Sequence, residues 1–179
     1  MHHDPFTPRD SRLRVGKTVA YPLEVWKTKD MDNSDLFVCI DHVGYAVLNL
    51  DDAIKFHTEV LGFRLLHREI NEEQGVEEVM LGTGKQLPES AQVQLLAPLR
   101  PDSTIGKFIE GNKGRGGIQQ VCYRVDDIDH VSEVLRSRGV RLLYDAPKTG
   151  TGGSRIQFVH PKDTGGILLE VVEPAGTKH

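Results

Sequence analysis

The pattern of apolar and polar positions along this chain is written twice. In "VCIDHVGYAVLNLDD", Val43, Tyr45 and Val47 alternate with His42, Gly44 and Ala46, the period-two signature of a strand. At an offset of 78, Val43, Tyr45, Val47 and Asp51 fall on Val121, Tyr123, Val125 and Asp129. Each copy continues into a helical period: Ala53, Phe56, His57 and Val60 in the first, Val131, Val134 and Leu135 in the second. Asp51 or Asp52 is expected to cap the first helix, and Gly62 and Gly139 to close the two. Three strand-like runs follow in each copy: "FRLLHREI", "VEEVMLG" and "AQVQLLAP", then "VRLLYDAP", "SRIQFVH" and "GILLEVVEP". The pattern predicts an α+β fold of two tandem βαβββ modules, over 37–98 and 117–175, joined by a linker at 99–116.

Residues 1–35 show neither period, and they read as a flexible leader before a single domain at 36–175, with a tail at 176–179. His2 and His3 are not expected to be ligands, and Tyr21 and Trp26 could anchor the leader. A net charge of −4 gives no basis for a general nucleic-acid or membrane surface. No apolar run resembles a signal peptide or a bilayer span, so the expected location is cytoplasmic. Cys39 and Cys122 lie in apolar runs without a CxxC partner and are expected to be reduced core thiols.

The alternation also sorts the faces. Bulky Val43, Tyr45 and Val47 should pack on a helix, while His42, Gly44 and Ala46 should line a cavity, as should Gln120, Cys122 and Arg124 in the second copy. The closing strands bring Gln94 and Glu170 to equivalent places. Each module thus supplies one polar residue from its first strand and one from its last: His42 with Gln94, and Gln120 with Glu170. One imidazole, two amide oxygens and a carboxylate suit a divalent ion with open positions better than a closed structural zinc site. In "VEEVMLG" either Glu77 or Glu78 could be the inward carboxylate, and burial would raise its pKa toward the range of a general base. Asp41 and its counterpart Gln119 are expected at the outer strand start. His57 reads as an ordinary helix residue and His160 as a structural one.

The stretches "DHVGYAV", "NEEQGVEEVML", "VQLLAPLRPDSTIGKFI", "YRVDDID" and "RGVRLLYDAPKTGTGGSRIQFVHPKDTGGILLEVVE" resemble the methylmalonyl-CoA epimerase family of the vicinal oxygen chelate (glyoxalase-like) superfamily, over about residues 33–175. The resemblance implies that the two modules form a mixed eight-stranded, partly closed sheet around a metal site, in an isomerase that interconverts the epimers of methylmalonyl-CoA through a metal-assisted enolate. It implies His42, Gln94, Gln120 and Glu170 as metal ligands and Glu78 with Glu170 as the acid–base pair. The implied ion is divalent: cobalt first, with manganese, nickel, magnesium or zinc as other candidates. A homodimer is implied as well. The chain departs from the family at Gln119-Gln120, where His-His is usual. An amide oxygen in place of imidazole should loosen the site and tilt it toward harder ions. The polyanionic coenzyme A should meet a locally basic entrance, with Lys148, Arg155 and Lys162 as candidates. The alternatives are a same-fold enzyme on a related acyl thioester (a decarboxylase, or an epimerase of another 2-substituted malonyl-CoA) and a non-catalytic binding protein of this fold.

Overall fold

The protein is described by a computed structural model, which covers residues 36–83 and 91–177. The readings for His2, His3, Tyr21 and Trp26 lie outside the described residues. Module one runs β1 (Cys39–Ala46), α1 (Leu50–Lys55, continued by a π-helical turn at Phe56–Val60), β2 (Arg64–Asn71), β3 (Val76–Gly82) and β4 (Gln92–Pro98). Module two runs β5 (Gly117–Arg124), α3 (Ile128–Ser137), β6 (Lys148–Thr149), β7 (Arg155–Val159) and β8 (Leu168–Glu173), and α2 (Thr104–Gly111) lies between the modules.

All eight strands join one sheet in the order β2-β3-β4-β1-β5-β8-β7-β6. The two first strands, β1 and β5, meet antiparallel at its centre, and each pairs in parallel with its own module's last strand. The sheet therefore repeats outward from the β1–β5 seam, as the internal repeat requires. Helix α1 packs Leu50, Ala53 and Ile54 against Tyr45, Val79, Leu81 and Leu95. Helix α3 packs Ile128, Val131 and Leu135 against Val125, Leu169 and Val171 in the same way. Both helices cover the face that the alternation assigned to them, and the other face is left to carry His42, Gly44 and Ala46.

Four local expectations are corrected. The cap of α1 is Asn49, whose side chain accepts from the Asp52 N–H, so Asp51 and Asp52 instead fill the first turn, where they favour the helix dipole. "VRLLYDAP" forms no regular strand. It keeps one bridge, Leu142 to Val159, because the Gln157 side chain takes both backbone groups of Tyr144 and Arg136 holds the carbonyls of Tyr144 and Asp145. Short β6 occupies the sheet edge beside β7. The stretch expected as a linker contains α2, capped by Ser103, with Ile105 and Ile109 buried against Ala46, Val76 and Leu96. Finally, Cys39 is exposed at the outer end of β1, while Cys122 is fully buried.

Candidate active site

The cavity face of the four central strands gathers the predicted polar residues. His42 comes from β1, Gln94 from β4, Gln120 from β5 and Glu170 from β8; Glu78 from neighbouring β3 joins them, and all five are buried. Gly44 sits opposite Gln120 in the β1–β5 register. A Cβ on Gly44 would lie 2.6 Å from Gln120 Cγ, so the bare backbone is what gives that side chain its room.

The side chains form a head-to-tail chain. Gln94 Nε2 donates to Glu78 Oε2 at 2.8 Å, and Gln120 Nε2 donates to Gln94 Oε1 at 3.1 Å and to Glu170 Oε2 at 2.5 Å. The carboxylates at the two ends fix which way the amides point, because only an N–H can face a carboxylate oxygen. His42 Nε2 is buried 3.3 Å from Glu170 Oε2 without a well-formed hydrogen bond. On the other side of the ring, Asp41 Oδ1 lies 2.9 Å from His42 Nδ1, and Asp41 is itself held by Arg124 at 2.6 Å.

Asp41 and Gln119, expected at the outer strand start and off the face that carries His42 and Gln120, are both buried. The cause is a pair of β-bulges in the central seam. Between Ile40 and His42 the register skips Asp41, and between Ile118 and Gln120 it skips Gln119. A bulge breaks the strict alternation and re-aims the extra residue. Asp41 becomes the group that orients the His42 ring, and Gln119 enters the main cavity. Sequence alternation missed both because a bulge changes the period without changing the residues.

Electrostatics separate the two glutamates of "VEEVMLG". Glu77 is partly exposed and paired with Arg68 at 2.7 Å. Glu78 is buried, and its pKa is pushed up to about 7: burial is the main cause, the Glu69 carboxyl adds to it, and a hydrogen bond from Thr151 opposes it. Thr151 Oγ1 donates to Glu78 Oε1 at 2.8 Å. Burial works against charge on His42, but its hydrogen bond to Asp41 and the negative charges of Glu170 and Asp41 beside the ring prevail, raising its pKa to about 9. Cys122, expected as a reduced thiol on the cavity-lining face of its strand, stands beside the site: the ligating atoms of His42, Cys122 and Glu170 lie within 4.8 Å of one another. Burial, then the charge of Glu170, pushes its thiol well above the usual range, and a protonated thiol is a poor metal ligand.

These residues fit a divalent cation. His42 offers a buried nitrogen without a hydrogen-bond partner among the described residues, Glu170 a carboxylate 3.3 Å from it, and Gln94 an amide oxygen that meets the same Gln120 Nε2 as Glu170. Gln120 presents its N–H group, so it could ligate only after its amide turns to present Oε1.

A cavity of about 180 Å³ reaches Glu78, Gln94, Gln119, Gln120, Thr151 and Glu170. A second cavity, about 340 Å³, reaches His42 and Glu170 past Met80 and His67. A polar cavity of about 540 Å³ shares Gln74, Thr104 and Tyr144 with the first and holds Arg100 and Lys148. Of the three expected coenzyme A contacts, Lys148 lies in this outer cavity. Arg155 is ion-paired with Asp129 at 2.7 Å and with Glu173 at 3.5 Å, and neither it nor Lys162 lines any of the three cavities. His57 bonds the Ala53 carbonyl at 2.7 Å, and His160 accepts from the Lys162 N–H, both away from the cavity.

Residues 41–158 match the family model of the glyoxalase/bleomycin resistance protein/dioxygenase superfamily. The chain is 36% identical over 132 residues to a mitochondrial methylmalonyl-CoA epimerase of Mus musculus, which covers 74% of this chain and 71% of the mouse protein. A crystal structure of a selenomethionine methylmalonyl-CoA epimerase superposes with a TM-score of 0.75 at 51% identity, over 79% of this chain and 98% of that one. A methylmalonyl-CoA epimerase solved with methylmalonyl-CoA and NH4+ gives 0.73 at 40% identity, over 79% and 98% of the two chains. The chain belongs to the methylmalonyl-CoA epimerase family within this superfamily.

Proposed function

We propose that the protein epimerises methylmalonyl-CoA at C2, with Glu78 and Glu170 as the proton-transferring pair and His42, Gln94, Gln120 and Glu170 as the ligands of a divalent ion. The observation that carries this reading is the meeting of two buried carboxylates, one from each module, in one cavity beside an imidazole with a buried, unpartnered nitrogen. The C2 proton of the substrate lies between a thioester and a carboxylate and is acidic for that reason. A divalent ion bound in this pocket, cobalt being the first candidate, would act as a Lewis acid on the oxygens that take up the developing charge.

The protein's own groups do the rest. Glu78, with a pKa of about 7, is divided between its two protonation states at neutral pH and can both take and return a proton. Thr151 and Gln94 hold its two oxygens and fix its direction. Glu170 sits across the Gln94–Gln120 chain from Glu78, so the two approach the cavity from different strands. Asp41 holds the His42 ring by Nδ1 and leaves Nε2 for the ion. The coenzyme A portion would leave through the outer cavity past Lys148 and Arg100. A homodimer is part of the reading, supported by Leu65 and Ile70, apolar residues exposed on edge strand β2.

The test begins with one epimer of methylmalonyl-CoA and metal-loaded protein. Appearance of the other epimer, detected with a stereospecific coupling enzyme, is the expected result. Propionyl-CoA would instead assign a decarboxylase, and no change with any divalent ion would remove this substrate.

A further inference from the structure

Gln119 is a polar residue in the main cavity to which no role has yet been given. The bulge in β5 turns it inward, against the alternation of its strand. Its side chain lines the cavity beside Gln120, Glu78 and Glu170, the residue is only 9% exposed, and its Oε1 is buried without a hydrogen-bond partner among the described residues. A buried carbonyl with no donor is a standing cost, which a ligand N–H or O–H can relieve. Its repeat counterpart Asp41, re-aimed by the sister bulge, is fully engaged with His42 and Arg124. The two bulges are thus equivalent in the fold and differ in one respect: one inward side chain is satisfied and the other is not.

The substrate class limits what can satisfy it. A malonyl group ionised at neutral pH has acceptors only. In an acyl-pantetheine thioester, the first hydrogen-bond donor is the pantetheine amide N–H, three bonds from the sulfur. We propose that Gln119 is a specificity-determining residue that accepts a hydrogen bond from this amide and so selects pantetheine thioesters over simple ones. The inference rests on the epimerase reading of the cavity.

The test compares two truncated substrates: the methylmalonyl thioester of N-acetylcysteamine, which keeps that N–H, and its N-methyl counterpart, which lacks it. The wild-type protein should prefer the first in kcat/KM by about tenfold or more, since 1.4 kcal/mol corresponds to tenfold. Gln119→Met, similar in length but without an amide, should bring the ratio close to one. Gln119→Glu, which keeps an acceptor, should retain the preference. Equal ratios in wild type and Gln119→Met would overturn the proposal. Full-length methylmalonyl-CoA is run alongside: if the wild-type protein turns over neither it nor the truncated thioesters, the epimerase reading falls, and this inference with it. If methylmalonyl-CoA is turned over but the ratio is flat, the inference falls alone.

Discussion

At the residue scale, Gln120 spends both side-chain hydrogens on acceptors, Gln94 Oε1 and Glu170 Oε2. Its amide bridges two expected ligands when no ion separates them, so Gln94, Gln120 and Glu170 satisfy one another in the metal-free site while His42 Nε2 does not share in the bridge. Gln120→His should tighten cobalt binding tenfold or more, because imidazole suits cobalt, nickel and zinc better than an amide oxygen does. The same change removes the bridge and should lower the stability of the stripped protein by about 1 kcal/mol. Calorimetric titration and thermal unfolding read the two effects; if both are unchanged, Gln120 is not a ligand. His42 adds a pH dependence. A metal takes only the neutral ring, and the metal-free pKa is raised to about 9. Apparent metal affinity should therefore rise about tenfold per pH unit between pH 6 and 8. Because the folded pKa is raised, the protonated ring stabilises the stripped fold below about pH 6.5, and this stabilisation is lost as the pH climbs through about 9. Chemical denaturation of the stripped protein across that range checks the sign. The types and places of these residues were legible in the sequence, because repeat-equivalent positions on a strand must face one another. Their hydrogen bonds were not, since amide direction depends on side chains one and two strands away.

At the element scale, the β1–β5 seam places the site through what it lacks and what it inserts. Gly44 lacks a Cβ where Gln120 must lie. Gly44→Ala should cost roughly 1–3 kcal/mol by overpacking, measured by urea unfolding. In a double-mutant cycle with Gln120→Ala most of that loss should be recovered, because the colliding atoms are gone. Additive losses would mean that the clash lies elsewhere. The insertions are the bulged residues Asp41 and Gln119. Seven of the eight strand runs legible in the sequence form strands, namely β1–β5, β7 and β8. "VRLLYDAP" was misread because side chains of Gln157 and Arg136 satisfy its backbone in place of a neighbouring strand. Helix α2 had a readable start at Ser103 and an apolar spacing in Ile105, Phe108 and Ile109, but it was passed over as a connector between repeats.

At the scale of the whole molecule, duplication accounts for how a chain of this size builds an enclosed polar site. Each module brings its own helix-covered sheet, and the seam between their first strands puts four polar positions on one cavity face. The modules share their central strands and covering helix but differ in chemistry: Gln94 corresponds to Glu170, and His42 to Gln120. One buried glutamate from each module lines the cavity, Glu78 from the first and Glu170 from the second. The central claim is that these two serve opposite faces of the same substrate carbon. The most direct measurement follows the C2 proton of each methylmalonyl-CoA epimer by NMR in D2O with metal-loaded Glu78→Gln. The account predicts that one epimer still exchanges C2–H for deuterium, that the other loses exchange by a factor of about 10² or more, and that interconversion stops while bound metal is unchanged. Comparable exchange of both epimers, with interconversion intact, would contradict it.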